Sequence, residues 1–327
     1  MKQRVQAVIC RQYGSPRHLQ VVQVPKPQPR SNEILVKVKA SNVTAADTMM
    51  RRAKPFISRF FLGFLRPNKA IIGTGFAGVI EAVGESVTKF SVGEAVFGET
   101  GTEFGANAEY LCIAEEAMVL AKPDNLPFEE AACIGDGIIT SYNFLCNLAK
   151  LQAGQHVLIN GASGSLGLAA IQIAHYYGAE VTAVCSAANA TLVKALGATQ
   201  VIDYQQYNIY DTQRPYDLIY DCVGKLSFPK ARRLLQKDGL FLSPVLGFSL
   251  LLHMVQSQLL GGKKAVFSAT GLLKAEQLRA FTRELLAIIA AGKLQIVIDR
   301  RYPLSQTAEG HRYVDSGRKV GNVVLEI

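Results

Sequence analysis

One stretch constrains this chain more than any other: HVLINGASGSLGLAAIQIA, residues 156–174. An apolar run enters Gly161, Ala162, Ser163, Gly164, Ser165, Leu166 and Gly167 directly, and helical spacing starts at once. Small residues there permit a tight turn, a close approach of backbone to a pyrophosphate, and close packing of helix on strand. The first N–H groups of the helix then face the phosphates with the positive end of its dipole. A Gly-rich loop alone is only a turn. Between a strand and a helix it points to a dinucleotide.

The neighbouring pattern agrees. Residues 155–160, 180–185, 201–204, 216–222 and 239–243 read as strands, and 166–177, 190–196 and 227–235 as helices. Such alternation implies a parallel sheet covered on both faces. Upstream, residues 4–10, 20–24 and 34–39 read as strands, and the Gly- and Val-rich residues 73–98 as a compact β-barrel. Residues 127–150 have helical spacing, with Glu129 and Glu130 in the first turn. A long amphipathic helix is predicted at 275–292 and a final strand at 322–327.

Composition excludes several classes. With 49% hydrophobic and 19% charged residues the chain is globular. Its net charge of +9 gathers in residues 51–69, where Arg51, Arg52, Lys54, Arg59, Arg66 and Lys69 alternate with phenylalanines and no acid occurs. Proteins that track nucleic acid show a broader field or a known module, so no nucleic-acid partner is expected. The N-terminal residues lack the apolar core of a secretory signal. The longest apolar run, residues 245–255, is too short to cross a bilayer. The six scattered cysteines read as reduced thiols, so a cytoplasmic location is expected.

The segments VTAADTMMR, GTGFAGVIEAVG, LPFEEAACIGDGIITSYNFL, VLINGASGSLG, LGATQVIDY, YDLIYDCVG and RYPLSQTAEGHRYVDSGRKVGNVVLEI occur in this order. Together they resemble the medium-chain dehydrogenase/reductase superfamily, in its zinc-independent, quinone-oxidoreductase-like branch. The likeness runs end to end. It implies an α/β chain in which a Rossmann doubly wound parallel sheet, residues 124–271, is inserted in a GroES-like β-barrel catalytic domain. That catalytic domain comprises residues 1–123 and a return segment, 272–327. It also implies a homodimer.

The resemblance implies roles for individual residues. Ala162, Ser163, Gly164, Ser165, Leu166 and Gly167 match the pyrophosphate turn. Thr140 matches a bridging-helix threonine beside the cofactor. Ser186 and Tyr204 match positions near an adenosine 2′-phosphate, and Asn189 stands where some relatives carry Lys. Val223, Gly224, Leu246, Ala265 and Phe267 fall on segments near the nicotinamide. The second strand of the cofactor domain ends in VCSAAN, without the acid that NAD-preferring sites place on the ribose hydroxyl. NADPH is therefore expected, with NADH possible. In the zinc-dependent members, Cys, His and Glu would fall at Thr44, Thr74 and Gly75. With none kept and the five histidines isolated, no metal is expected.

Without a metal to polarise a carbonyl, the expected reaction is hydride transfer to a quinone or an α,β-unsaturated carbonyl, which spreads the charge itself. Thr44 and Asp47 are the candidate catalytic residues. Each has a plainer role open to it: Thr44 as a hydrogen-bonded barrel residue, Asp47 as an ion pair with Arg51 four positions on. The apolar residues 51–69 and 244–260 form either a mouth for a small lipophilic substrate, with possible weak membrane-surface contact, or a packed lid and dimer-facing loop. Two alternative functions stay open: a non-catalytic NADPH-binding sensor, and a membrane-associated accessory protein for a lipophilic quinone.

Overall fold

The computed structural model describes residues 3–54, 56–260 and 262–327. The chain divides into two compact units. The first is Met1–Asp136 with Gly271–Thr282 and Ile296–Ile327. The second is Gly137–Thr270 with Arg283–Gln295.

The first unit is built on a seven-stranded sheet. Its organising strand, Glu33–Asn42, alternates buried Val36 and Val38 with exposed Lys37 and Lys39, the period of two that a half-buried strand requires. One edge of this strand pairs with Gly75–Val83. The other edge is shared: residues 40–42 pair with the final strand Asn322–Glu326, and residues 33–37 with Tyr110–Ala114. Ala95–Glu99 and Met118–Ala121 extend the sheet. Ile34, Val36, Phe76, Ile80, Val96 and Leu111 form its core. A second core joins Val8, Val43, Leu304, Val314 and Leu325, beneath the helix Thr307–Asp315.

The second unit carries six parallel strands. In space they run Gln200–Asp203, Glu180–Cys185, His156–Asn160, Tyr216–Asp221, Leu235–Ser243, Lys264–Phe267. Numbered within the unit, that order is 3-2-1-4-5-6. It reverses between His156–Asn160 and Tyr216–Asp221, and such a switch point opens a crevice at the carboxyl ends of the strands. The residues 161–167 leave His156–Asn160 at that end.

Three local expectations need correction. Residues 127–150 are not one helix. They form short α-helical turns, Phe128–Ala131 and Ile139–Tyr142, each followed by a wider π-helical segment, Ile134–Ile138 and Asn143–Leu148. Close approach explains part of this, because a Cβ on Gly137 would lie 3.0 Å from Ser165. Residues 227–235 are helical only at Phe228–Ala231, and a 3-10 turn leads into the strand that begins at Leu235. Lys264–Phe267 is a sixth strand, and the lysines at 263 and 264 obscured the pattern. The apolar run after Ser243 becomes the helix Phe248–Leu260, which buries Leu250 but exposes Phe248, Leu251, Leu252 and Val255.

Candidate active site

In the second unit, each glycine of the 161–167 turn does a different job. Gly161 has φ +77°, a left-handed conformation that side chains rarely adopt. Gly167 must lack a side chain, because a Cβ there would lie 2.4 Å from Gly161 O and 2.6 Å from Ala162. Gly164 is open: its Cβ would meet only Gly161 O, at 3.5 Å. It is the N-cap of the helix Ser165–Tyr176 and brings no capping side chain. The space above Gly164 is a cradle that a phosphate would fill.

Its surroundings are fixed by hydrogen bonds. Asp221 Oδ1 accepts from Asn160 Nδ2 (2.8 Å) and Gly224 N (3.1 Å), and Oδ2 from Leu226 N (2.7 Å), so the strand ends at the switch point are tied together. Val223 is left exposed there. Tyr204 N donates to Cys185 O (3.3 Å), which sets the exposed Tyr204 beside Ser186, and Asn189 Nδ2 reaches Ser186 Oγ at 3.4 Å. Ser141 Oγ donates to Leu166 O (2.8 Å), anchoring the turn that carries half-buried Thr140. Ala265 and Phe267 pack with the core under Phe248–Leu260, and Leu246 is half-buried ahead of that helix.

In the first unit, a cavity of about 250 Å³ is lined by Cys10, Tyr13, Asp47, Arg51, Ile72 and Phe104, among others. Asp47 and Thr44 form a capping box at the start of the helix Ala45–Arg52. Thr44 N and Thr44 Oγ1 both donate to Asp47 Oδ2 at 2.8 Å, and Asp47 N donates back to Thr44 Oγ1 at 2.9 Å. The hydroxyl proton of Thr44 is thus committed to Asp47. Asp47 Oδ1 is buried without a partner. The expected ion pair with Arg51 does not form. The Arg51 guanidinium turns instead to Asp315 and to Gly14 O, because the later helix Thr307–Asp315 packs against Ala45–Arg52.

Burial pushes the Asp47 carboxyl up to about 7; the bonds from Thr44 oppose the rise, and Asp136 adds to it. Glu99 is also held well above the usual carboxylate range, by burial, then by Asp136 and Asp47. Burial raises Asp136 as well, and Lys319 moderates that rise. Lys319 is lowered by burial, with Asp136 opposing. Three carboxyls therefore sit close enough to resist joint ionisation. Glu99 accepts from Thr74 Oγ1 at 3.3 Å and pairs in register with Gly75. A Cβ on Gly75 would lie 2.6 Å from both Ala132 O and Asn42 Oδ1, and that buried Asn42 oxygen has no partner.

Residues 30–124 match the alcohol dehydrogenase GroES-like domain, and residues 196–325 match the zinc-binding dehydrogenase model. A quinone oxidoreductase of Homo sapiens is 30% identical over 331 residues, covering 98% of this chain and 97% of that protein. The chain belongs to the medium-chain dehydrogenase/reductase superfamily, in its quinone-oxidoreductase-like branch. It is an oxidoreductase. A 2-methylene-furan-3-one reductase of Solanum lycopersicum is 30% identical over 310 residues, 91% of this chain and 73% of that protein. A mycobacterial protein solved in complex with NADPH has TM-score 0.83 and 25% identity, covering 99% of this chain and all of that one.

Within this medium-chain dehydrogenase/reductase, the positions where zinc-dependent members hold ligands are otherwise employed. Thr44 caps a helix, Thr74 bonds Glu99, and Gly75 makes room for Asn42. Among the described residues no group of three His, Cys, Asp or Glu side chains is placed to hold a metal ion. Sequence reasoning singled out Asp47 and missed Glu99, Asp136 and Lys319. Glu99 and Asp136 are lone acids far apart in sequence and Lys319 follows Arg318 near the end of the chain, so only the folded chain gathers them. An acid inside the otherwise apolar CIGDGII was the one available signal.

Proposed function

We propose that this oxidoreductase is a zinc-independent reductase that moves a hydride from NADPH to a quinone or to the β-carbon of an α,β-unsaturated carbonyl. The observation that carries this reading is Asp47, a buried carboxyl that lines a cavity and holds its proton near neutrality. NADPH, when bound, supplies the hydride. Everything else falls to the chain. Residues 161–167 bind the pyrophosphate, with Gly164 leaving room for it. Ser186 and Tyr204 offer hydroxyls to the 2′-phosphate, and no acid at that strand end repels it; NADH is accepted more weakly. Val223, Gly224 and Leu246 would border the nicotinamide.

Tyr13, Ile72 and Phe104 present apolar walls to a flat acceptor and exclude water. Hydride arrival leaves negative charge on the acceptor oxygen. Thr44 saturates Asp47 Oδ2 with two donated bonds, so the carboxyl proton resides on Oδ1. That proton passes to the acceptor oxygen, completing the hydroquinone or the enol that becomes the saturated ketone. Asp47 is then reprotonated from solvent. Thr44 is a positioning residue in this scheme, and Asp47 the proton donor.

The same reading includes a homodimer. The apolar ridge of Phe248, Leu251, Leu252 and Val255, beside the edge strand Lys264–Phe267, is the face a second copy would cover. Among the described residues no helix is long and apolar enough to cross a membrane, and a cytoplasmic location is part of the proposal.

The Gly164→Asp substitution tests the cofactor side. The backbone there suits any residue, and the added side chain meets open space, so folding should be unchanged. A carboxylate in the cradle repels the pyrophosphate, so NADPH affinity, followed by quenching of nucleotide fluorescence, should fall at least about tenfold. Unchanged affinity would place the phosphates elsewhere.

A further inference from the structure

In the first unit Phe56, Phe60, Phe64 and Leu65 form an apron of exposed aromatic and aliphatic side chains. Phe56 is 59% exposed, Phe60 70%, Phe64 56% and Leu65 84%. They are grouped: the Phe64 ring lies 6.1 Å from both Phe56 and Phe60. A contiguous apolar surface of this kind marks a contact with something other than water. It is also tied in place. Tyr13 Oη donates to Gly63 O at 2.7 Å, and the Arg59 guanidinium lies 5.2 Å from the Tyr13 ring and 5.1 Å from that of Phe56.

The flanking charge has one sign. Arg52, Lys54, Arg59, Arg66 and Lys69 lie around the apron, and no Asp or Glu occurs between Thr48 and Ile80. Asp315 pairs with Arg52 at 3.4 Å and Glu103 with Lys69 at 2.6 Å. Lys54 and Arg66 are exposed. Apolar side chains beside Lys54, Arg59 and Arg66 suit the surface of an anionic bilayer, which takes rings into the boundary region and attracts the cations at the headgroups. A second copy of this chain would bring the same positive charge to the same place and be repelled.

The apron also continues into the cavity that holds Asp47. Leu62, Pro67, Asn68 and Lys69 belong to this segment and line that cavity, as does Tyr13, which anchors the segment. We propose that residues 56–66 dock on anionic lipid and that the cavity beside them receives a lipophilic acceptor from the bilayer. The docking stands on the surface alone. Only the identity of the cargo rests on the reductase reading above.

The test is flotation of the full-length protein with vesicles of phosphatidylcholine alone, or mixed equally with phosphatidylglycerol, at low and high salt. The expected result is flotation with the mixed vesicles at low salt, with a several-fold loss at high salt and little flotation with the neutral lipid. The double variant Phe60→Ser with Leu65→Ser, and separately Lys54→Glu with Arg66→Glu, should each abolish flotation. All four side chains are exposed, so the fold should persist. NADPH turnover of a short, water-soluble quinone should be unchanged in both variants, and turnover of a long-tailed quinone held in mixed vesicles should fall at least fivefold. Failure of the wild type to float, or flotation indifferent to both variants, overturns the docking. A wild type that does not float and forms an oligomer broken by Phe60→Ser with Leu65→Ser makes the apron an interface between copies. Flotation without turnover of any quinone keeps the docking and removes the reductase reading.

Discussion

Asp47→Asn is expected to lower kcat with a quinone or enone acceptor about a hundredfold at pH 7, the usual scale for loss of one positioned proton donor. The change is nearly isosteric. The amide oxygen can still accept the two bonds from Thr44, so the helix keeps its cap. What is lost is the proton that a carboxyl pushed up to about 7 retains on Oδ1. The pH profile distinguishes this from a packing defect. Wild-type kcat should fall as pH rises through about 7, where Asp47 ionises, and the Asn variant should be flat there. NADPH affinity should not change. A variant with wild-type kcat and an unaltered pH profile would remove Asp47 from the chemistry.

The second large effect is a pair of opposed pH dependences in stability. His311 is completely buried, neither ring nitrogen has a hydrogen-bond partner, and burial with the nearby Arg51 charge lowers it to about 3 from 6.5. Between those values the unfolded chain binds a proton that the folded chain refuses. Its contribution is present above 6.5 and is lost as pH falls toward 3, by about 1.4 kcal/mol per pH unit. Asp47 has the opposite sign. Its folded carboxyl holds a proton that the unfolded one releases above 3.8, so its contribution is present below 3.8 and is lost as pH rises through about 7. In the shared window of roughly pH 4 to 6.5 the two slopes nearly cancel. Urea unfolding should therefore show, relative to wild type, His311→Leu becoming steadily more stable as pH falls from 6.5 to 4. Asp47→Asn should become steadily less stable over the same range, each by about 1.4 kcal/mol per pH unit. At pH 8 Asp47→Asn should be more stable than wild type by on the order of 4 kcal/mol while being less active. Parallel profiles for all three proteins would mean that neither group is held as described.

The parts of this molecule that could be read in advance are those where local rules and tertiary structure agree. The parallel sheet was legible because each strand is a short apolar run ended by a turn, and the turn at 161–167 because a pyrophosphate and a close helix both demand small residues there. Lys264–Phe267 was missed because an edge strand tolerates lysines that break the pattern. The segment 127–150 kept helical spacing, but glycines at 135 and 137 yield to Glu99 and Ser165, and the helix widens into π-turns. The site was legible where it is local, as with Thr44 and Asp47 three residues apart. It was illegible where it depends on register or on distant helices. Gly75 faces Glu99 only through strand pairing, and Arg51 prefers Asp315 to Asp47 only because Thr307–Asp315 packs beside it. Spacing along a helix could suggest an Asp47–Arg51 pair but could not weigh it against a partner 264 residues away.

The most direct test of the central claim is NADPH oxidation by protein stripped of metal with a chelator, followed by absorbance against a panel of quinones and 2-enones, with NADH in parallel. The account predicts turnover that is indifferent to the chelator, is not raised by added zinc, and is faster with NADPH than with NADH. Turnover that disappears on metal removal and returns with zinc would contradict it.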